Sequence, residues 1–467
     1  MKHENNSRFA YQAVYRYLLE LIAQMAPGSY CRLPSLRDLA QRLNVSISTV
    51  QYAYSLLEHE GRVQSVPKSG YFACGPESGM RTGTGGDLLH DLQHHANRPR
   101  MLVLSSGRGQ TLPSLEATLL GTERQLLRQY PRPVASVHPC GELELRTALA
   151  ARYTRSAQLY WSAEDVYLAG DLRALVDMLV AALELHGCRV LVTTPCSWRL
   201  LRILKSAGLQ VLELPLGERG EVDLEQLAAV LGTGAVRMVM MASHLNCPQG
   251  SVVSDEQRQG IAELLVRHGV WLLENDLDFE WSFDRPAQCL RELVDPQRLL
   301  VISSLERTVG AEAPYAYLLS RNCQAPLQRE FLARDFQLPP LRQQAVARLY
   351  AKGRIDVHLE QLRLYLRESV AHLHRQMQVQ LGNQLHFQMP AGGATVWAQA
   401  RAPLDTRALF HRLLDQGLVI APGELFSLQG HFRQHMRLGW PSRQQGDLQE
   451  GLSVLHQELQ RAQKARR

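Results

Sequence analysis

Five short apolar segments in the middle of the chain alternate with amphipathic stretches of helical length. The segments are RVLVTTP (189–195), VLELPL (211–216), VRMVMMA (236–242), VWLLEND (270–276) and LLVISS (299–304). Runs that are apolar on both faces of a strand are typical of a parallel sheet with helices on either side. The pattern therefore predicts an α/β domain with a mostly parallel sheet covered by helices.

Length and composition exclude several classes of protein. The 467 residues allow two or three domains, and 45% hydrophobic with 21% charged residues is ordinary for a globular protein. The polar start and the lack of a long apolar run predict a cytoplasmic protein with no membrane partner. Eight scattered cysteines without a C-x-x-C pair predict reduced thiols and no metal site.

Residues 33–74 carry the signals of two short helices joined by a tight turn. Ser35 can cap the first helix, with Asp38 in the capping-box position, and Ser46 can cap the second. Two strands then flank a basic turn at 67–70. We predict a mainly α winged helix-turn-helix.

This stretch resembles the GntR family of winged helix-turn-helix regulators, whose pattern is L-P-S-x-R-x-L-A, then V-S-x-x-T-V, then G-x-G-[YF]-x-V. The resemblance implies binding to a double-stranded DNA operator. With the basic turn, it places the contacts on Arg37, Ser46, Ser48, Thr49, Gln51, Lys68 and Gly70.

Two positions depart from the family pattern, since Ile47 and Gln51 stand where arginine is common. Glutamine can pair bidentately with adenine, whereas isoleucine makes only apolar contacts, such as one with a thymine methyl group. We therefore expect a different operator from that of relatives that carry arginine.

The remaining chain is interpreted as a linker and a second domain. Residues 76–100 are rich in glycine, polar residues and histidine and show no sustained period, which predicts a linker between a domain at 1–75 and one at 101–467. From about residue 385 the pattern changes to that of a smaller α+β lobe.

Landmarks over residues 100–460 resemble those of the fold-type I aminotransferases. They are HPCGELELRTALAARY (138–153), VYLAGDLRALVDMLVAAL (166–183), SHLNCPQG (243–250), WLLENDLDFEW (271–281) and SSLERTVGAEAPYAYLL (303–319). Together with the N-terminal unit, this is the architecture of the MocR subfamily of GntR regulators. The resemblance implies a homodimer and pyridoxal 5′-phosphate as the family cofactor, with its phosphate at the start of the helix in 166–183.

The resemblance also shows which cofactor residues are replaced. Arg307 stands at the lysine that forms the Schiff base, and a guanidinium stays protonated and cannot form one. Asn275 replaces the aspartate that pairs with the pyridinium nitrogen, and Leu277 replaces the tyrosine at the ring hydroxyl. Glu306 replaces the serine that precedes the lysine, and the phosphate-binding arginine is replaced by Pro314, or by Tyr315 if the loop shifts by one residue. We therefore predict no Schiff-base cofactor and no aminotransferase activity.

Other positions are kept or conservatively changed. Ser304 keeps a motif serine, and Asn246 matches the asparagine of the N-P-x-G turn, although one extra residue separates it from the proline. Ser197 replaces a stacking tyrosine for which the adjacent Trp198 can substitute. Arg437 matches the arginine that clamps the substrate carboxylate. The candidate pocket comprises Ser197, Trp198, Asn246, Asn275, Leu277, Ser304, Arg307 and Arg437.

The sequence leaves several interpretations open. The pocket can be reused for a small anionic, dicarboxylate-like or amino-acid-like effector, or the domain can be a scaffold kept for dimerisation. A third interpretation is a pyridoxal-phosphate-dependent regulator or aminotransferase that uses the cofactor without the usual lysine. Lys352 and Lys205 are the lysines considered as substitutes for the missing one.

Overall fold

The structure is a computed structural model of the chain. It describes residues 7–23, 31–59, 63–66, 70–73, 87–98, 101–105, 114–129, 138–156, 159–286, 288–336, 338–441 and 446–464. The chain divides into two compact units, Met1–Met101 and Leu102–Arg467.

The first unit contains the predicted winged helix-turn-helix. Its elements are α1 (Ser7–Ala23), β1 (Cys31–Arg32), α2 (Leu36–Leu43), α3 (Ile47–His59), β2 (Val63–Val66) and β3 (Gly70–Ala73). Ser35 caps α2 by accepting a hydrogen bond from Asp38 N (3.2 Å), and Ser46 Oγ accepts one from Thr49 N (3.1 Å) at the start of α3. Asn44 ends α2 in the left-handed conformation (φ 49°), which makes the tight turn. The predicted pair of wing strands is confirmed, with β3 between β1 and β2 in an antiparallel sheet.

Tyr54 ties α3 to the rest of this unit. Its ring is fully buried and stacks on Tyr71 of β3 at 4.3 Å between centroids. Its hydroxyl donates a hydrogen bond to the Pro34 carbonyl (2.7 Å), just before α2. One side chain therefore fixes α3 relative to both the wing strand and the first helix of the motif.

Part of the predicted linker is helical. Helix α4 (Leu88–Ala96) is capped by Asp87, which accepts a hydrogen bond from Leu89 N (3.2 Å), and it buries Leu88, Leu89 and Leu92. The spacing of these leucines is that of an amphipathic helix. The helix was not predicted because it is short and the residues around it have a composition typical of linkers.

The second unit is a three-layer α/β lobe joined to a smaller α+β lobe. Elements of the large lobe are α5 (Glu116–Gln129), α6 (Leu143–Tyr153), β5 (Val166–Ala169), α7 (Leu172–Ala182), β6 (Arg189–Thr194), α8 (Trp198–Ser206), β7 (Gln210–Pro215), α9 (Leu224–Gly232), β8 (Val236–Ala242), β9 (Leu245–Asn246), β10 (Ser251–Val252), α10 (Asp255–His268), β11 (Trp271–Asn275), β12 (Leu299–Ser304), β13 (Ala316–Ser320), α11 (Gln324–Arg334), α12 (Pro340–Ala351) and α13 (Arg354–Leu381); β4 (Leu102–Val103) precedes them in the chain.

The large sheet has the predicted, mostly parallel arrangement. Its strand order is β5-β13-β12-β11-β8-β6-β7, and only β13 runs antiparallel to its neighbours. Successive residues of β12 point into different cores, with Leu299 and Val301 in one and Leu300 and Ile302 in the other. Burial on both faces explains why these strands are continuously apolar in sequence. The predicted α/β fold is confirmed.

The smaller lobe contains an antiparallel sheet in the order β14-β15-β18-β17. Its elements are β14 (Leu385–Phe387), β15 (Thr395–Ala400), α14 (Thr406–Leu414), β16 (Leu418–Val419), β17 (Ala421–Pro422), β18 (His435–Gly439) and α15 (Gly446–Lys464). The two-residue strand β4 pairs with β16, Leu102 opposite Leu418, so the start of the second unit also belongs to this lobe. Among the described helices, none combines the length and apolar composition needed to cross a bilayer.

We predict that Tyr54→Phe weakens the first unit by about 1–3 kcal/mol, because the change leaves the Pro34 carbonyl without its buried donor. Hydrogen–deuterium exchange of peptides from 31–73 measures the effect as faster exchange. The matched control is Tyr52→Phe, which removes the hydroxyl of a ring that is 53% exposed. Equal exchange rates in the two variants would contradict the assigned hydrogen bond.

Candidate functional site

The outer face of α3 is the first candidate surface. The side chains of Ile47, Ser48, Gln51 and Tyr52 are exposed there, and Arg37 is exposed on α2. The opposite face of α3, including Val50 and Leu57, is buried. An amphipathic helix with a solvated outer row has the shape required to enter a major groove.

The hydroxyl groups at the start of α3 form a small network. Ser46 Oγ lies 2.8 Å from Ser48 Oγ and 2.7 Å from Thr49 Oγ1. These three candidate contacts are therefore held together before any ligand is present. In the wing, Gly70 has φ +103°, a conformation that favours glycine, and Lys68 lies outside the described residues.

The second candidate site lies where β11 and β12 end side by side. Arg307 follows β12, and its Nη2 is 3.2 Å from Asp278 Oδ1, which follows β11. The guanidinium also lies 4.3 Å from the centroid of the Trp281 ring, and Trp281 Nε1 donates a hydrogen bond to the Arg307 carbonyl (3.1 Å). Arg307 is thus folded back onto the large lobe and electrically balanced by a neighbouring carboxylate.

Arg437 enters the same region from β18 of the smaller lobe. Its guanidinium lies over Trp198 (4.5 Å to the centroid) and near Phe426 (5.1 Å), and Nη2 donates to the Ser105 carbonyl at 2.5 Å. Among the described residues, no carboxylate forms a salt bridge with Arg437, and its buried Nε has no hydrogen-bond partner. Burial and then the charge of Arg307 lower the pKa of Arg437 to about 10, so it stays cationic at neutral pH.

The turn at 246–248 is organised differently from the sequence-based interpretation. Asn246 is buried in β9, donates to Ser251 Oγ (3.3 Å), and lines a small cavity together with Arg258. The extra residue places Cys247 instead near the two arginines and against Asp278. Burial and then the Asp278 charge raise the pKa of its thiol well above the ordinary value.

Three candidate residues shape the backbone of the turns. Asn275 Oδ1 accepts a hydrogen bond from Leu277 N (3.2 Å), and the Leu277 side chain packs against one of the two large-lobe cores. Ser304 Oγ accepts from Glu306 N (3.2 Å) and donates to the Tyr315 carbonyl (3.4 Å). Polar atoms of Asn275 and Ser304 are therefore used to stabilise the strand ends.

The starts of α8 and α7 differ in how they are capped. Ser197 precedes α8 without making a side-chain capping bond, and Trp198 begins the helix and packs on Phe426 at 4.9 Å. Asp171 caps α7 by accepting from Ala174 N (2.8 Å). The helix start that resembles the phosphate site of aminotransferases thus already holds a carboxylate.

Three further charged residues that the sequence analysis named lie outside the pocket or are already paired. Glu306 pairs with Arg199 at 3.3 Å. Lys352 at the end of α12 and Lys205 on α8 are both exposed, so neither reaches a buried pocket position in this structure.

A buried arginine anchors the end of β11. Arg291 Nη1 lies 2.8 Å from Glu274 Oε2 and 3.0 Å from Asp276 Oδ1, and each of the three side chains is at most 8% exposed. The Tyr153 hydroxyl donates to Asp276 Oδ2 at 2.5 Å. Burial raises the pKa of Glu274, and Arg291 opposes that rise. This network fixes the backbone immediately before Asp278.

Sequence reasoning did not identify Asp278, Trp281, Cys247 or Phe426 as parts of the site. A usable signal was present for Asp278, because residues that follow neighbouring parallel strands meet at one edge of a sheet. The smaller-lobe residue Phe426 comes from a short 3-10 turn, Gly423–Phe426, that the apolar pattern does not reveal.

We predict that Arg291→Met destabilises the second unit by about 3–5 kcal/mol at pH 7, because it leaves two buried carboxylates without their cation. The loss becomes smaller at pH 5, because burial raises the pKa of Glu274 and its protonation then removes one of the two unpaired charges. Urea unfolding followed by tryptophan fluorescence measures it, since all six tryptophans lie after residue 101.

The control for this experiment is Arg298→Met, since the Arg298 side chain is exposed and, among the described residues, donates to a backbone carbonyl, that of Gly269, and not to a carboxylate. A loss that is as large for the control, or independent of pH, would refute the anchoring role.

Comparison with known proteins identifies the families of both parts of the chain. Residues 108–452 match the family Aminotransferase class I and II, and residues 10–72 match Bacterial regulatory proteins, gntR family. The HTH-type transcriptional regulator YdcR of Escherichia coli is 26% identical over 442 residues, covering 91% of this chain and 94% of its own. YjiR of the same organism is 22% identical over 444 residues, with the same coverage of 91% and 94%.

The solved structure of LysN, an α-aminoadipate aminotransferase from Thermus thermophilus complexed with N-(5′-phosphopyridoxyl)-L-leucine, has the same fold as the second unit. Its TM-score is 0.69 at 19% identity, covering 82% of this chain and 96% of that one. The chain therefore belongs to the aminotransferase class I and II family and carries a gntR-family helix-turn-helix domain at its N-terminus, the combination that defines the MocR subfamily.

Proposed function

We propose that the protein is a sequence-specific DNA-binding regulator whose aminotransferase-like unit dimerises and binds a small carboxylate effector without covalent chemistry. The observation that supports the second half of this proposal is that Arg307, which matches the reactive lysine by sequence resemblance, pairs with Asp278 and stacks on Trp281. A guanidinium held in this way offers no nucleophilic amine.

The residues present do not fit pyridoxal phosphate. Asn275 supplies no negative charge for a pyridinium nitrogen, and its amide oxygen is already bonded to Leu277 N. Leu277 has no hydroxyl to offer the ring. Asp171 occupies the helix start where the phosphate would bind, and its charge would repel one. We therefore infer that the chain has no aminotransferase activity.

The charges of the pocket favour a ligand with one carboxylate. Arg307 is balanced by Asp278, whereas Arg437 has no carboxylate partner among the described residues. One uncompensated cation thus remains, partly buried beneath the rings of Trp198 and Phe426. A dicarboxylate, which the sequence alone left open, would require Arg307 to leave Asp278. A ligand with one carboxylate and an apolar remainder would pair its carboxylate with Arg437 and pack its apolar part against Trp198 and Phe426.

An apolar groove supports the dimer. It has a volume of about 1230 Å³ and is lined by α5, α6, α12 and the start of α13. Leu127 and Leu143 line it and are 52% and 58% exposed in the single chain. A second copy of this surface would remove both leucines from water, and a dimer would present two winged helices to two half-sites.

We predict that screening organic acids and amino acids yields ligands that raise the melting temperature of the second unit. Saturation at one hundred times Kd adds about 2.7 kcal/mol of stability. Arg437→Met removes the shift because it removes the uncompensated cation, and Arg437→Lys retains part of it. Tryptophan fluorescence reads the melting temperature, and Arg173→Met, an exposed arginine on α7, is the matched control.

Two outcomes of this screen would contradict the proposal. One is a ligand that stabilises wild type and Arg437→Met equally. The other is pyridoxal phosphate giving an absorbance band that borohydride removes, because such a band requires a lysine adduct. The absence of any ligand would favour a domain kept only as a scaffold.

We predict that Leu143→Glu converts the dimer to the 52.6 kDa monomer, because it places a charge in the apolar groove. Light scattering measures the mass of the particle. We expect the affinity of the variant for an operator with two half-sites to decrease as well. Val379→Glu, at a position on α13 that is 84% exposed, serves as the control. An unchanged mass for Leu143→Glu would exclude this groove as the interface.

A further inference from the structure

Ile47 is an unusual residue for the exposed start of a helix. Its side chain is 48% exposed, at the first position of α3, although a large apolar group gains nothing from contact with water. Because isoleucine is branched at Cβ, its side chain is stiff, and ordering it on a ligand costs little entropy. A stiff, exposed apolar side chain is suited to contact an apolar group on a ligand.

The polar groups around Ile47 are largely engaged with one another. Ser46 bonds both Ser48 and Thr49, and about two turns further along the helix Ser55 Oγ donates to the Tyr52 carbonyl (2.8 Å). These hydroxyls are held within the helix. The Ile47 side chain beside them is 48% exposed to solvent.

Gln51 lies on the same row of the helix as Ile47, one turn away, and it is also exposed. Four residues of α-helix span about 6 Å, roughly the height of two base-pair steps. A helix lying in the major groove would therefore present Ile47 and Gln51 to base pairs one or two steps apart. Both residues are chemically matched to A·T pairs, which display a methyl group on thymine and a donor–acceptor pair on adenine.

We propose that Ile47 reads the 5-methyl group of a thymine and that Gln51 reads an adenine one or two base pairs away in each half-site. This assignment rests on the proposed DNA binding and adds the identity of the bases. Isoleucine offers no donor to guanine O6 and N7, so a guanine at the Ile47 position would lose the contact and gain none.

The test uses the full-length protein and a duplex selected from a random library. Each thymine of the selected site is replaced in turn by deoxyuridine, which removes the methyl group and leaves base pairing intact. Wild type should lose about three- to tenfold affinity at one thymine per half-site, as expected for one buried methyl group. Replacing the nearby adenine by 7-deazaadenine should weaken wild type but leave Gln51→Ala unaffected.

Variants of Ile47 identify the residue that senses the methyl group. Ile47→Ala should bind the thymine and deoxyuridine duplexes equally, and Ile47→Val should show intermediate discrimination. Val379→Ala, which shortens another exposed apolar side chain, should discriminate as wild type does. Because Ile47 is exposed, circular dichroism should show the same helix content in all variants.

The possible failures are distinguishable. If no duplex is selected and none is bound, the proposed DNA binding is overturned. If a site is bound but every deoxyuridine substitution is neutral, or if Ile47→Ala keeps the full discrimination, the thymine readout is overturned and DNA binding stands.

Discussion

The buried contact of Arg291 with Glu274 and Asp276 holds the part of the large lobe on which the pocket depends. Burying two carboxylates costs desolvation free energy. The Arg291 guanidinium offsets that cost only when it lies close to both carboxylates, as it does here. That geometry fixes the end of β11. The turn that follows can then present Asp278 and Trp281 to Arg307 from fixed positions.

A pairing of this kind changes what an arginine at position 307 does. Without a carboxylate beside it, an arginine after β12 would be an unpaired positive charge able to bind an anionic ligand. The Arg307 guanidinium instead lies 3.2 Å from Asp278 and stacks on the Trp281 ring. Its charge is thereby paired within the protein, and the side chain lines the pocket. Within the part of the chain that the structure describes, the pocket thus keeps one cation without a carboxylate partner, Arg437, and that cation comes from the smaller lobe.

Much of the fold could be predicted from sequence because its signals are local. Strand β12 is apolar on both faces since it is buried on both, and Ser35 and Ser46 mark helix starts through their own hydrogen bonds. The pairing of β4 with β16 could not be predicted, because two-residue strands carry no period. Likewise, the partner of Arg307 depends on which strands are neighbours, and the inserted residue at 246–248 changes which side chain faces the pocket.

The pairing of Leu102 with Leu418 has a mechanical consequence. The polypeptide that arrives from the DNA-binding unit is anchored at once in the smaller lobe, and three residues later the Ser105 carbonyl accepts a hydrogen bond from Arg437. The tether between the two halves of the chain is therefore attached to the lobe that supplies the unbalanced cation. The point at which the chain enters the second unit therefore lies within the smaller lobe, within three residues of the backbone carbonyl that Arg437 contacts.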